Sequence, residues 1–154
     1  MNESGTAEQE ITPPLHQNFL IRPAVKGLIT STDGVLLQKE RHTNGEMFWT
    51  LPGGGIASQE TATGALSREL QEELQTTSVV GRELGRVPYA HFGRTQTISV
   101  YRVFGCAILE APQANPREGV YTYQWADPQD PPTRALPQVD WVLQRYVNRP
   151  GVNP

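Results

Sequence analysis

One cysteine, Cys106, stands in a chain of 154 residues. That excludes an intramolecular disulfide and any zinc site built on several thiolates. It lies in the apolar run YRVFGCAIL, where a buried structural thiol is expected. No apolar stretch reaches the ~20 residues a membrane span needs. The opening MNESGTAEQE lacks the basic and apolar regions of a secretory leader, so a cytoplasmic setting is expected. Positive charge is also scarce: 13 Lys and Arg face 16 Asp and Glu, for a net charge of −3. The basic footprint of a nucleic-acid binder is missing. Neither a nucleic-acid nor a membrane partner is therefore expected. An acidic chain can still hold a polyphosphate through a bridging metal.

What is abundant is glycine and proline, 14 and 13 residues, more of both than average usage. Turns should outnumber long helices. The length suits one domain. Residues 1–17 read as a flexible tail, 18–148 as the domain and 149–154 as a C-terminal tail. AVKGLITSTDGVLLQKE reads as two strands around a tight turn at Asp33-Gly34. SVVGRELGRVPYAHF and TQTISVYRVFGCAILE read as two longer strands, and GVYTYQWAD alternates like another. Residues 60–75 read as a helix. In QVDWVLQRYV, Val139, Val142, Leu143, Tyr146 and Val147 recur at helical spacing. The sum is an α/β layered domain.

The first helix carries an odd acidic cluster in RELQEEL. Glu69, Glu72 and Glu73 fall within about 100° of one another on the helix wheel. They border the stripe of Ala62, Leu66, Leu70 and Leu74 that should dock on the sheet. Glu69 and Glu73 repel at i,i+4, and anions near a helix C-terminus oppose the dipole. A bound cation would reverse that penalty. The bland alternative is a solvated helix edge with Arg68 paired to Glu72. Carboxylate donors suit Mg²⁺ or Mn²⁺ and not zinc. The preceding Gly53-Gly54-Gly55 permits positive φ and close backbone approach.

From Gly54 the chain runs five residues to Glu60, seven more to Arg68-Glu69-Leu70, then Gln71 and Glu72-Glu73. This closely resembles the Nudix box of the MutT-type hydrolases. The likeness extends to the flanking strands, over roughly residues 20–147. Two departures stand out. Gln75 and Thr76 replace the glycine and apolar residue that end the family's box, and Ala57 stands where many members carry Glu. The missing glycine puts the loop geometry after the helix in question.

The resemblance implies a Nudix α/β/α sandwich, a mixed sheet between helices. It implies Glu69, Glu72, Glu73 and the Gly54 carbonyl as ligands of Mg²⁺ (or Mn²⁺). Arg68 would orient the acids, partly through Glu60. Glu72, Glu73, Arg68 and a later loop acid would carry the catalysis, with Glu118 favoured over Glu110. The reaction implied is hydrolysis of a phosphoanhydride in a nucleoside diphosphate linked to another group. Nucleoside triphosphates, nucleotide sugars and dinucleoside polyphosphates all remain open, as does the choice of general base. Arg41, Phe48, His91 and Phe92 are candidate substrate contacts, as are Lys39, Trp49 and Tyr89. His16 and His42 suggest only loop polarity. The family also leads one to expect a homodimer. Two other readings compete. A catalytically silent ligand sensor would have eroded box acids, and these are intact. An isoprenoid diphosphate isomerase would need an accessible cysteine.

Overall fold

A computed structural model describes residues 19–90 and 96–147. Strand β1 (Leu20–Leu28) lies at the centre of a four-stranded sheet ordered β5-β1-β7-β6. It runs parallel to β7 (Thr97–Ile108), with Val25 beside Arg102 and Lys26 beside Val103. Its other edge pairs antiparallel with the three-residue β5 (Gly53–Gly55). Strand β6 (Ser78–Ala90) folds back on β7 as a long antiparallel hairpin, with its register broken between Val80 and Gly85. Those breaks are β-bulges, which bend and twist a long ribbon.

A second sheet is built on β3 (Gly34–Arg41). It pairs with β2 (Thr30–Ser31), β4 (Met47–Thr50) and β8 (Thr122–Ala126). The hairpin expected around Asp33-Gly34 is therefore real but only two residues deep, Thr30 with Val35 and Ser31 with Gly34. β1 and β3 part company at Ile29 and enter different sheets. Gly34 has φ +131°, and a Cβ there would meet Ala126 O at 2.2 Å. The turn demands glycine because β8 crosses directly against it.

Helix α1 (Ala62–Leu74) begins at Thr61, whose side chain accepts the Gly64 N–H. It buries Ala65, Leu66, Leu70 and Leu74 against Val25, Ile29, Leu36 and Phe104. Each such leucine contributes about 1.5–3 kcal/mol on burial. Helix α2 (Pro137–Val142) continues as a wider π-type turn over Leu143–Val147. Its Val139, Val142, Leu143 and Val147 fill a second core with Leu28, Leu37, Leu51 and Val103, the face read from spacing. The α/β architecture matches expectation, with the strands divided into two sheets and one helix on each core. No helix among the described residues is long and apolar enough to cross a membrane.

The helix end answers the question raised by Gln75. It adopts φ 55° and ψ 42°, the left-handed cap conformation, and donates its N–H to Gln71 O. The family's glycine geometry is kept without the glycine. Gln75 Nε2 donates to the carbonyls of Gln113 and Ala114. Thr76 is fully buried, and its hydroxyl bonds the Glu110 carbonyl.

Candidate active site

The three glycines do not all turn. Gly53, Gly54 and Gly55 form an extended strand, and only Gly53 has positive φ, at 139°. A Cβ at Gly53 would strike Val25 O at 2.1 Å, and one at Gly54 would lie 2.6 Å from Glu69 Oε1. Absence of side chains thus lets this strand lie on β1 and lets the helix carboxylate touch its backbone.

Arg68 organises the acids. Its Nε and Nη2 donate to the two oxygens of Glu60, at 2.6 and 2.9 Å. Nη1 donates to Glu69 at 3.2 Å and Glu72 at 3.0 Å, and Nη2 also reaches Gly55 O. The Arg68 guanidinium holds Glu60 down to about 2. Glu60 also accepts the Ala57 N–H, which anchors the loop where many relatives carry a further acid.

Glu73 is buried and accepts the Gly53 N–H at 3.0 Å. Burial pushes its carboxyl up to about 8, against the pull of Lys26. Burial raises Glu69 as well, against the pull of Arg68. Lys26 is 5% exposed, and its Nζ donates to the carbonyls of Leu51 and Gly53. Sequence reading passed over this lysine, because nothing on β1 itself marks it. The only available signal was a cation within the apolar second half of β1, AVKGL.

Lys26, Gly53, Gly54, Gly55, Glu69 and Glu73 line a cleft of about 770 Å³. Its walls include Arg22, Tyr89 and Tyr101 from one sheet, and Glu40, Phe48 and Thr50 from the other. Phe48 stacks on His42 at 4.0 Å between ring centroids, so His42 does more than lend loop polarity. Arg41 reaches the cleft margin and lies over the Tyr121 ring. Trp49 and Lys39 face the other side of β4, where Lys39 sits over the indole and Trp49 packs on the α2 core. They line a smaller cavity of about 370 Å³. His91 and Phe92 lie outside the described residues.

The two loop acids differ in surroundings. Glu110 spends both carboxylate oxygens on Thr77, its backbone N–H and hydroxyl. Glu118 is exposed at the end of a short turn, Pro116–Glu118. That turn follows Asn115, which bonds the carbonyls of Glu72 and Glu73. Cys106 packs beneath Gly27 and Leu66, and burial pushes its thiol up to about 11. It is not among the residues that line the cleft, and a thiol raised by burial is a poor nucleophile.

The donor set suits a hard cation: carboxylates of Glu69, Glu72 and Glu73 beside an exposed backbone at Gly54. Among the described residues, no three acidic, histidine or cysteine side chains converge as a ready-made metal cluster. Arg68 holds Glu69 and Glu72, and the Gly53 N–H holds Glu73. A cation must compete with those partners.

Two sheets, a glycine strand and a carboxylate helix governed by one arginine define an α/β domain of MutT type. A model of the NUDIX domain family matches residues 20–146, and the chain belongs to that family. An 8-oxo-(d)GTP phosphatase of Mycolicibacterium smegmatis is 32% identical over 107 residues, covering 66% of this chain and 31% of that protein. The chain thus spans about a third of that relative's length. A MutT Nudix hydrolase from Burkholderia pseudomallei shares the fold with a TM-score of 0.71 at 22% identity, over 80% of this chain and 95% of that one. An ADP-ribose pyrophosphatase from Streptococcus suis does so with a TM-score of 0.55 at 20% identity, over 72% and 78%.

Proposed function

We propose that the chain hydrolyses a phosphoanhydride bond in a nucleoside diphosphate derivative, with a divalent cation, Mg²⁺ or Mn²⁺. The observation that carries this reading is the buried Glu73 pinned to Gly53 in the lining of the cleft. Burying a carboxylate beside other carboxylates is costly without a cation. Glu69, Glu72, Glu73 and the Gly54 carbonyl would hold it. When bound, the cation supplies positive charge to phosphate oxygens and acidity to water.

The chain's own residues do the rest. Arg68 and Glu60 hold the rotamers of Glu69 and Glu72. Glu72, Glu73 or Glu118 accepts the proton of the attacking water. Phe48, with His42 stacked on it, offers a face for the base, and Arg41 a cation for phosphate. Every residue invoked comes from one chain. A cytoplasmic setting suits a small nucleotide substrate.

The similarity to an 8-oxo-(d)GTP phosphatase puts nucleoside triphosphates, oxidised purines included, first among substrates. Nucleotide sugars such as ADP-ribose and dinucleoside polyphosphates come next. The test is a nucleotide panel with Mg²⁺, reading phosphate and nucleotide release for the parent and Glu72→Gln. Turnover by the parent and loss in the variant support the reading. No turnover of any compound, or an equally active variant, rejects it.

A further inference from the structure

Four carboxylates line the cleft, Glu40, Glu46, Glu69 and Glu73, and only Glu69 and Glu73 come from α1. Glu40 stands on β3, in the wall built by the second sheet. It lies cross-strand from Phe48, as Gln38 lies from Thr50. Residues in register on paired strands share a face, so Glu40, Phe48 and Thr50 look into the cleft together, with the buried Gln38 on the same face.

Gln38 fixes the β3 wall. Its side chain is fully buried, and Nε2 donates to Glu40 Oε2 at 2.7 Å. Burial chiefly raises the Glu73 carboxyl, and the charge of Glu40 adds to that rise. Gln38 Oε1 has no hydrogen-bond partner among the described residues. Leaving a buried amide oxygen unpaired is costly, and a leucine would fill the space without that cost. Packing alone does not explain a glutamine here. Holding Glu40 in the cleft wall does.

The charges point the same way. Lys26 commits its Nζ to two carbonyls, and Arg68 is committed to Glu60, Glu69 and Glu72. Arg22 bonds Ser99, and Arg41 is turned onto Tyr121. Lys26 pulls on Glu73, but none of these cations forms an ion pair with Glu40 or Glu73 among the described residues. We propose that Glu40 is a further cation-binding carboxylate of this cleft, fixed in the β3 wall by Gln38 across from the carboxylates of α1, so that a divalent ion is gripped from both walls. The inference rests on the cation-dependent reading above.

The experiment is Mn²⁺ binding to the full chain without nucleotide, by calorimetric titration and by the electron paramagnetic resonance of free Mn²⁺. Glu40→Gln keeps the volume and an acceptor for Gln38. Glu46→Gln removes another acid from the same cleft, at its exposed rim. The expected result is affinity at least tenfold weaker in Glu40→Gln and within twofold of the parent in Glu46→Gln. Equal affinity in the parent and Glu40→Gln overturns the proposal, as does equal weakening in both variants, which would mark a general field. Gln38→Leu gives a second arm. It leaves Glu40 charged but unheld, so affinity falls several-fold while thermal stability is kept or raised. An unchanged affinity there overturns the role of Gln38. A parent that binds no Mn²⁺ at all overturns the cation-dependent function itself, a failure distinct from that of Glu40.

Discussion

Glu73 Oε1 accepts the Gly53 N–H at 3.0 Å, joining the last turn of α1 to the first glycine of β5. The carboxyl is pushed up to about 8 by burial, whereas an unfolded glutamate titrates near ~4.3. Between those values the folded state holds a proton that the unfolded state has lost. Stability falls with pH wherever the folded state binds more protons. The metal-free protein should thus lose thermal stability as pH rises from about 5 to 8. Glu69, also raised by burial, acts in the same direction. Thermal melts in EDTA across that range check this, and Glu73→Gln should flatten the slope. Because a cation needs the ionised carboxylate, Mg²⁺ should restore stability most at the alkaline end.

Arg68 makes five hydrogen bonds to three carboxylates and a carbonyl. A lysine carries the charge but not the planar fork. Arg68→Lys should lower kcat by roughly 10- to 100-fold, the usual cost of losing a ligand-orienting partner. The KM should change less. Steady-state kinetics on the best substrate of the panel would show it, and a variant with parental kcat would refute the positioning role.

Gln75 holds φ 55° without being glycine. Left-handed backbone costs an ordinary residue roughly 1–2 kcal/mol. Its side-chain bonds to Gln113 and Ala114 are long, 3.3 and 3.4 Å, and offset only part of this. Gln75→Gly should therefore stabilise the protein by about 0.5–1 kcal/mol, with kcat unaltered. Urea denaturation measures the difference.

Phe48 is proposed to stack on the base. Removing one base-stacking ring costs about 1–3 kcal/mol. Phe48→Ala should raise KM about tenfold, the conversion of roughly 1.4 kcal/mol, with a much smaller effect on kcat. A fall in kcat at constant KM would move Phe48 out of the base site.

Glu110 bonds the N–H and hydroxyl of Thr77. Glu110→Gln should lower the melting temperature and leave kcat within about twofold, since small surface changes rarely reach chemistry. Parallel melts and kinetics distinguish this from the behaviour of Glu118→Gln, where kcat should fall and the melting temperature hold.

Local spacing was enough for α1 and its acids. Helical geometry places residues three and four apart on one face, so Glu69, Glu72 and Glu73 could be grouped before any fold was known. The left-handed end of the helix was marked by the place of Gln75, though not that glutamine would adopt the conformation. The extended form of Gly53–Gly55 was not legible, because it depends on antiparallel pairing with β1. The shallow hairpin at Asp33-Gly34 was overread for the same kind of reason: alternation does not say which strand a strand pairs with.

The sequence by itself determined the family, the acidic helix, the arginine that serves it and the core faces of both helices. Those follow from periodicities and short-range spacing that backbone geometry fixes. Only the tertiary structure decided that Lys26 lies under the glycine strand, that Phe48 faces the cleft while Trp49 turns away, and that Glu40 lines the same cleft as Glu73. Each of these depends on register between strands far apart in the chain. A shift of one residue in that register would send every one of those side chains to the opposite face.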